Sequence, residues 1–171
     1  SSLAQDGEGW RAVSDNGAHL RFALPIDAEG RITAFAAGAD AAGAIAPILG
    51  SDGAALEGAA NVDAEGLAPA PDGGWFISLE RNHRLLRIAR AGWAGPGFAG
   101  PPQSGFEGLE PNGGMEALER LSDGRLLAIA EYGPAGAQAA PPYWLLAPFQ
   151  SAPAAPAGRF AVPAGFGVTE A

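Results

Sequence analysis

Residues 63–80 read DAEGLAPAPDGGWFISLE, and this stretch decides the fold of the chain. A turn sequence at residues 72–74, DGG, separates two short apolar runs, which is a strong local signal for a β-hairpin. Glu65 and Glu80 lie 15 residues apart, with the turn near the midpoint. The hairpin is therefore predicted to bring both carboxylates to its open end.

The same arrangement recurs along the chain. Residues 116–131 read EALERLSDGRLLAIAE, again with two glutamates 15 residues apart around a central Asp-Gly. A looser copy opens the chain at residues 1–15, SSLAQDGEGWRAVSD, and another begins at residue 168 with VTEA. The opening glutamates of the last three copies are spaced by 51 and 54 residues: Glu65, Glu116 and Glu170. A period of roughly 40–50 residues with several strands per unit is typical of a β-propeller.

We therefore predict an all-β fold, a β-propeller with about three four-stranded blades that belong to a larger closed ring. The units are expected at residues 1–35, 63–90 and 115–162, with a fourth beginning near residue 168. A blade cannot bury both faces alone, so a ring needs at least about four of them. The remaining blades are expected in a missing part of the polypeptide or in other chains.

Two finer expectations concern the segments around these units. The fourth strand of the first unit is expected at residues 31–35, RITAF. Residues 36–62 and 91–114 are rich in Ala, Gly and Pro and are expected to be long connections, the first with room for a short helix. Almost no segment has the spacing of an amphipathic helix, which favours β structure and loops.

Composition excludes several classes of function. The net charge is −9, with ten arginines and no lysine. No basic stripe is present to neutralise phosphates, which argues against nucleic acid as a partner. The absence of cysteine excludes disulfides, iron–sulfur clusters and thiol catalysis. No segment is apolar enough for a membrane span.

The hairpins also carry a resemblance to a known family. The block EGLAPAPDGGWFISLE at residues 65–80, followed by NGGMEALERLSDGRLLAIAE at residues 112–131, resembles the esterase-like phytase family of bacterial propeller-type proteins. The resemblance covers most of the three hairpins and little of the loops. It implies a periplasmic or secreted hydrolase whose substrate is a small phosphate ester or carboxylic ester.

The acidic residues at the hairpin ends form the main candidate site. In a propeller the innermost strand of each blade lines the central channel, so the hairpin acids are expected to meet at one mouth. Oxygen ligands without Cys and with few His suit a hard cation, Ca²⁺ in preference to Mg²⁺. The predicted metal ligands are Glu65, Glu80, Glu116, Glu131, Asp15 and Glu170. The alternative is that these carboxylates accept backbone N–H bonds at strand ends and tie blades together.

Three residues directly after Glu80 are weaker candidates. Arg81 could bind a phosphate in bidentate fashion, and His83 could act as acid or base, so these two are the catalytic candidates. Arg81, Asn82 and, before the next unit, Asn112 are the candidates for substrate binding. No G-x-S-x-G sequence is present, so a serine hydrolase is not indicated.

Two functions of different class remain open from the sequence. The first is a metal-assisted hydrolase of phosphate or carboxylic esters. The second is a non-catalytic propeller scaffold, or binding module, that docks a partner protein through its loops and belongs to a larger complex.

Overall fold

The computed structural model describes residues 2–7, 9–34, 45–89, 97–99, 105–106, 108–133, 140–147, 155–163 and 166–169. Within these ranges the chain forms β-strands and one helix of four residues, α1 (Ala59–Val62). The strands are β1 (Ser2–Asp6), β2 (Gly9–Val13), β3 (Ala18–Phe22), β4 (Ala46–Pro47), β5 (Ala64–Pro69), β6 (Trp75–Leu79), β7 (Arg84–Ile88), β8 (Gly97–Ala99), β9 (Met115–Arg120), β10 (Leu126–Ala130), β11 (Pro142–Leu146) and β12 (Gly158–Arg159).

The strands form three antiparallel sheets of four, each in sequence order. The first sheet contains β1–β4, the second β5–β8 and the third β9–β12. The turns between first and second strands are those that the Asp-Gly signals predicted: Gly73 and Gly124 both have positive φ, at 83° and 86°. The prediction of an all-β fold with three four-stranded units is confirmed.

Both faces of the second sheet are buried, because each face packs against a neighbouring sheet. Phe76 packs into an apolar cluster shared with the third sheet, whereas Trp75 and Ile77 pack into one shared with the first. Successive residues of a strand point to opposite faces, so each face meets one neighbouring sheet. Phe76 and Ile77 are fully buried, and burial of such a side chain contributes about 1.5–3 kcal/mol to stability.

The first strands of the three sheets lie side by side. β5 contacts both β1 and β9. Between the second and third sheets, Ser78 Oγ donates to the carbonyl of Met115 at 2.6 Å. Sheets stacked face to face, with their first strands adjacent, are arranged as consecutive blades of a propeller.

Two finer expectations were wrong. The fourth strand of the first sheet is β4, at residues 46–47, and not the predicted segment 31–35, of which residue 35 lies outside the described residues. Ile32 instead pairs with Ile26 across a short hairpin outside the sheet, closed by the N–H of Asp27 on the carbonyl of Arg31 at 3.0 Å. The segment 91–114 was expected to be a loop but contains β8, the fourth strand of the second sheet. No helix in the described part of the chain has the length and apolar character needed to cross a membrane.

Candidate functional site

Two glutamates lie at irregularities in the first strands. The pairing of β5 with β6 skips Glu65, and the pairing of β9 with β10 skips Glu116. Each glutamate is therefore the extra residue of a β-bulge. A bulge bends the strand and redirects a side chain, and bulges are common beside active sites. The same feature at the same place in two sheets sets these carboxylates apart from their neighbours.

Two further glutamates end the second strands. Glu80 directly follows β6 and Glu131 directly follows β10. The backbone N–H of Glu80 donates to the carbonyl of Asp63, and that of Glu131 donates to the carbonyl of Gly114, both at 2.8 Å. These bonds close the open end of each hairpin and hold each glutamate beside the start of its own first strand.

The structure brings five carboxylates together at this end of the sheets. Oxygens of Asp63, Glu65 and Glu80 lie within 4.8 Å of one another, and so do oxygens of Glu80, Glu116 and Glu131. Glu80 belongs to both groups and connects the second sheet to the third. We call these five residues the acidic cluster. Asp63 and Glu80 are buried, and the other three are half-buried.

Burial and mutual repulsion disturb the titration of the cluster. Burial, and then the charges of Glu65, Glu131 and Glu80, raise the pKa of Glu116 to about 8. Burial also raises the pKa of Glu65, with a further contribution from Asp63. Like charges held this close favour either a bound proton or a bound cation. The cluster therefore has the donor atoms and the charge that a hard divalent cation requires.

Glu80 is also held by the neighbouring sheet. Its Oε1 accepts the backbone N–H of Gly114 at 2.9 Å, in a buried hydrogen bond. Burial raises the pKa of Glu80, while this bond opposes the rise. One carboxylate oxygen is thus engaged in joining the sheets, as the structural alternative expected, and the second oxygen remains for another ligand.

A family model now places the chain among known proteins. The model described as Phytase-like, "Esterase-like activity of phytase", matches residues 1–171. The chain belongs to the phytase-like family. Searches of curated proteins and of solved structures gave no match. At the level of the family, a phytase-like chain is a hydrolase-like propeller, in agreement with the resemblance of its hairpins.

In this phytase-like protein, Arg81 lies at the edge of the acidic cluster. Arg81 Nε donates to Oδ2 of Asp63 at 2.6 Å, and this contact raises the pKa of Arg81. Arg81 has a φ of 62°, in the left-handed region that a non-glycine residue rarely adopts. Asn82 is exposed and its amide Nδ2 donates to Oδ1 of Asn61 at 3.1 Å. Arg81 therefore contacts the cluster through Asp63, whereas the hydrogen bond of Asn82 joins it to α1.

His83 lies against the same turn as the predicted Asn112. Its Nε2 donates to the carbonyl of Glu110 at 3.1 Å, in the turn that the N–H of Gly113 closes on that carbonyl at 3.0 Å. Burial lowers the pKa of His83, so the ring is neutral near pH 7 with its proton on Nε2. Asn112 itself is exposed in this turn. The prediction of a role in catalysis or substrate binding stays a prediction for both.

The remaining predicted ligands are not part of the cluster that the structure describes. Asp15 is exposed in a turn closed by the N–H of Gly17 on the carbonyl of Ser14 at 3.0 Å. Ser14 follows β2 as Glu80 follows β6, so Asp15 is one position beyond the equivalent place. Glu170 lies outside the described residues.

Two members of the site carried no clear signal in the sequence. Asp63 lies two residues before Glu65, whereas the equivalent position of the third sheet is Gly114. Asp63 is therefore not part of the repeated pattern of acids from which the ligands were predicted. Tyr132 follows Glu131, and its phenol is hydrogen-bonded to that carboxylate, which raises the pKa of Tyr132. An acid next to an opening glutamate and a tyrosine next to a closing one were the only available hints.

Proposed function

We propose that this phytase-like protein hydrolyses small phosphate esters or carboxylic esters with the help of a divalent cation held by Glu65, Glu80, Glu116 and Glu131. One observation carries the proposal: two groups of three carboxylates share Glu80, and their oxygens lie within 4.8 Å of one another. The family supports the hydrolase class, and the cluster supports the assistance of a metal.

Calcium suits this site better than magnesium. The donors are carboxylate oxygens, which hard cations prefer, and two come from β-bulges with irregular geometry. Ca²⁺ accepts six to eight oxygens in flexible arrangements, whereas Mg²⁺ demands a nearly regular octahedron. Within the described residues no histidine belongs to the two carboxylate groups, which disfavours zinc.

The proposed hydrolysis depends on the positive charge of the cation. A cation at this position would attract an anionic ester and polarise its carbonyl or phosphoryl oxygen. The chain supplies the groups around it: Glu116 retains a proton near neutral pH when no cation offsets its neighbours, and the phenol of Tyr132 is held on Glu131. Either group could hold or move a proton close to a bound ester. His83 and Arg81 lie further out as candidates for acid–base chemistry and phosphate binding.

The proposal also includes a location. We propose a periplasmic or secreted protein, on the resemblance of the hairpins to the phytase family. The competing function is a non-catalytic scaffold that docks a partner protein on its loops. It is favoured by the bond from Gly114 to Glu80, since that contact shows at least one cluster carboxylate joining two sheets.

Calorimetric titration separates the two functions. The wild-type chain is titrated with CaCl₂ and MgCl₂, beside the double variant Glu65→Gln plus Glu116→Gln. The matched control is Glu119→Gln, because Glu119 is an exposed glutamate on the same strand as Glu116. We expect saturable calcium binding by the wild type and the control, and its loss in the double variant.

Hydrolysis assays then test catalysis. We expect the wild type to hydrolyse p-nitrophenyl phosphate or p-nitrophenyl acetate in the presence of calcium, and chelation to remove the activity. The double variant should be inactive while Glu119→Gln keeps the wild-type rate. Calcium binding without turnover would favour the scaffold, and no calcium binding by any variant would overturn the metal site.

A further inference from the structure

A cavity lies beside the second sheet, apart from the acidic cluster. It has a volume of about 400 Å³ and is bounded by residues 50–57, by α1 and by β7. Volumes of 300–1,000 Å³ are usual for small-molecule sites. None of the five cluster carboxylates lines it. We call it the Arg84 cavity.

Arg84 is the cationic group of this cavity. Its Nη1 donates to the carbonyl of Asn82 at 2.9 Å and its Nη2 to the carbonyl of Asn61 at 3.0 Å. Among the described residues no Asp or Glu lies within ion-pair distance of Arg84. Six other described arginines each contact a carboxylate: Arg11, Arg21, Arg31, Arg81, Arg87 and Arg125.

The two carbonyl contacts fix the guanidinium without using all its donors. An arginine side chain has five N–H groups in a rigid planar fork, and the two bonds account for two of them. The side chain is half-buried, and burial lowers the pKa of Arg84. A half-buried, immobilised guanidinium with spare donors is the arrangement that binds a carboxylate or a phosphate.

The other residues that line the cavity restrict the class of ligand that it could bind. Asp52 and Glu57 also line the cavity. One oxygen of Asp52, Oδ1, accepts the N–H of Ala54 at 3.0 Å, which orients the side chain. Two carboxylates in the same cavity repel a dianion such as phosphate and attract an ammonium group. Leu56 and Leu86 are the leucines that line the cavity.

We propose that the Arg84 cavity binds a small zwitterion of the α-amino acid class, with its carboxylate on Arg84, its ammonium group toward Asp52 and Glu57, and its apolar side chain on Leu56 and Leu86. The site is independent of the acidic cluster and of the proposed hydrolysis. It would give the protein a ligand that is neither the substrate nor the cation.

Three isosteric probes test the charge pattern. L-Leucine carries both charges, 4-methylpentanoate lacks the ammonium group, and 3-methylbutylamine lacks the carboxylate. We expect saturable binding of L-leucine by calorimetry or by NMR titration, and about tenfold weaker binding of each single-charge probe, because each loses one charge-assisted interaction. Inorganic phosphate is the fourth probe and is expected not to compete.

Variants connect the binding to named residues. Arg84→Gln should abolish L-leucine binding, whereas Arg125→Gln should leave it unchanged, because Arg125 is exposed in the turn between β9 and β10. Asp52→Asn keeps the acceptor oxygen for Ala54, so the fold is retained, and should weaken L-leucine about tenfold without affecting 4-methylpentanoate. Thermal unfolding of each variant identifies any loss of structure.

The outcomes are separable from those of the proposed function. The double variant Glu65→Gln plus Glu116→Gln should bind L-leucine as the wild type does. Absence of L-leucine binding in the wild type would overturn the inference, as would equal binding by Arg84→Gln when that variant is folded. Phosphate binding in place of L-leucine would replace the zwitterion by a simple anion and overturn the class proposed.

Discussion

Glu80 reaches from the end of β6 to the start of β9, where its Oε1 accepts the backbone N–H of Gly114 at 2.9 Å. A related contact occurs one unit later. The N–H of Val168 donates to the carbonyl of Glu131 at 3.3 Å, and a Cβ built on Gly167 would lie 3.3 Å from Oε1 of Glu131. The glutamates that follow β6 and β10 thus each lie beside a later glycine, Glu80 beside Gly114 and Glu131 beside Gly167. Packing between sheets and the geometry of the acidic cluster depend on the same residues.

Gly114→Ala should damage both properties. A Cβ at this position would lie 2.9 Å from Cγ of Glu80 and 3.1 Å from Nδ1 of His83, and Glu80 is tethered by its hydrogen bond. We expect a loss of about 1–3 kcal/mol in the free energy of unfolding, the usual cost of overpacking. Urea denaturation measures it. Gly113→Ala is the control, since its Cβ would be 3.3 Å from Cβ of Glu110. Equal costs for the two variants would contradict the explanation.

Ser78→Ala should destabilise the bulge at Glu65. Ser78 Oγ is fully buried, accepts the N–H of Gly66 at 2.7 Å and donates to the carbonyl of Met115 at 2.6 Å. Removal of the hydroxyl leaves a buried donor and a buried acceptor unsatisfied, at a cost of about 2–4 kcal/mol. Denaturant unfolding and calcium titration should both show an effect.

The control for this variant is Ser122→Ala, in the exposed turn between β9 and β10. Its free energy of unfolding should change by less than about 0.5 kcal/mol, as is usual for surface substitutions. A Ser78→Ala variant as stable as this control would show that the two hydrogen bonds of Ser78 Oγ contribute nothing to stability.

Much of the fold could be predicted because its signals are local. The turn glycines Gly73 and Gly124 have positive φ, which is the conformation that Asp-Gly sequences favour. Equal spacing of Glu65 and Glu80 about such a turn brings them to one end of a hairpin in any regular pairing. The convergence of acids from two sheets follows from the repeat, because equivalent positions of stacked blades are neighbours.

The remainder depends on contacts distant in sequence. The bulges at Glu65 and Glu116 arise from a register shift that no local pattern encodes. β4 and β8 are two and three residues long and pair only because a neighbouring strand presents an open edge. The bond from Gly114 to Glu80 joins residues 34 positions apart, so its effect on the site could be seen only once the sheets were stacked.

Stability should decrease as the pH rises through neutrality. The pKa of Glu116 is about 8 in the folded chain and has its ordinary value of 4.5 when unfolded. Between these values the folded state retains a proton that the unfolded state has released, so each increase in pH favours unfolding. The loss of stability caused by Glu116 is absent below pH 4.5 and complete above about pH 8.

Glu116→Gln removes the titrating group and should give a shallower decline of stability between pH 4.5 and 8. Urea midpoints at several pH values measure it, with Glu119→Gln as the control that follows the wild type. Calcium should restore wild-type stability at the upper end of this range, because a ligand that binds only the folded state stabilises it. Parallel profiles for Glu116→Gln and the wild type would show that Glu116 titrates normally.

Arg81→Gln should strengthen the binding of calcium. Arg81 Nε donates a hydrogen bond to Oδ2 of Asp63 at 2.6 Å, and its positive charge lies beside the carboxylates that would hold the cation. Removal of that charge frees Asp63 and reduces repulsion of the metal, so the dissociation constant for calcium should fall about threefold at low ionic strength. Calorimetry checks this, with Arg125→Gln as the control. A raised KM for p-nitrophenyl phosphate, with calcium affinity unchanged, would instead assign Arg81 to the substrate, as the sequence predicted.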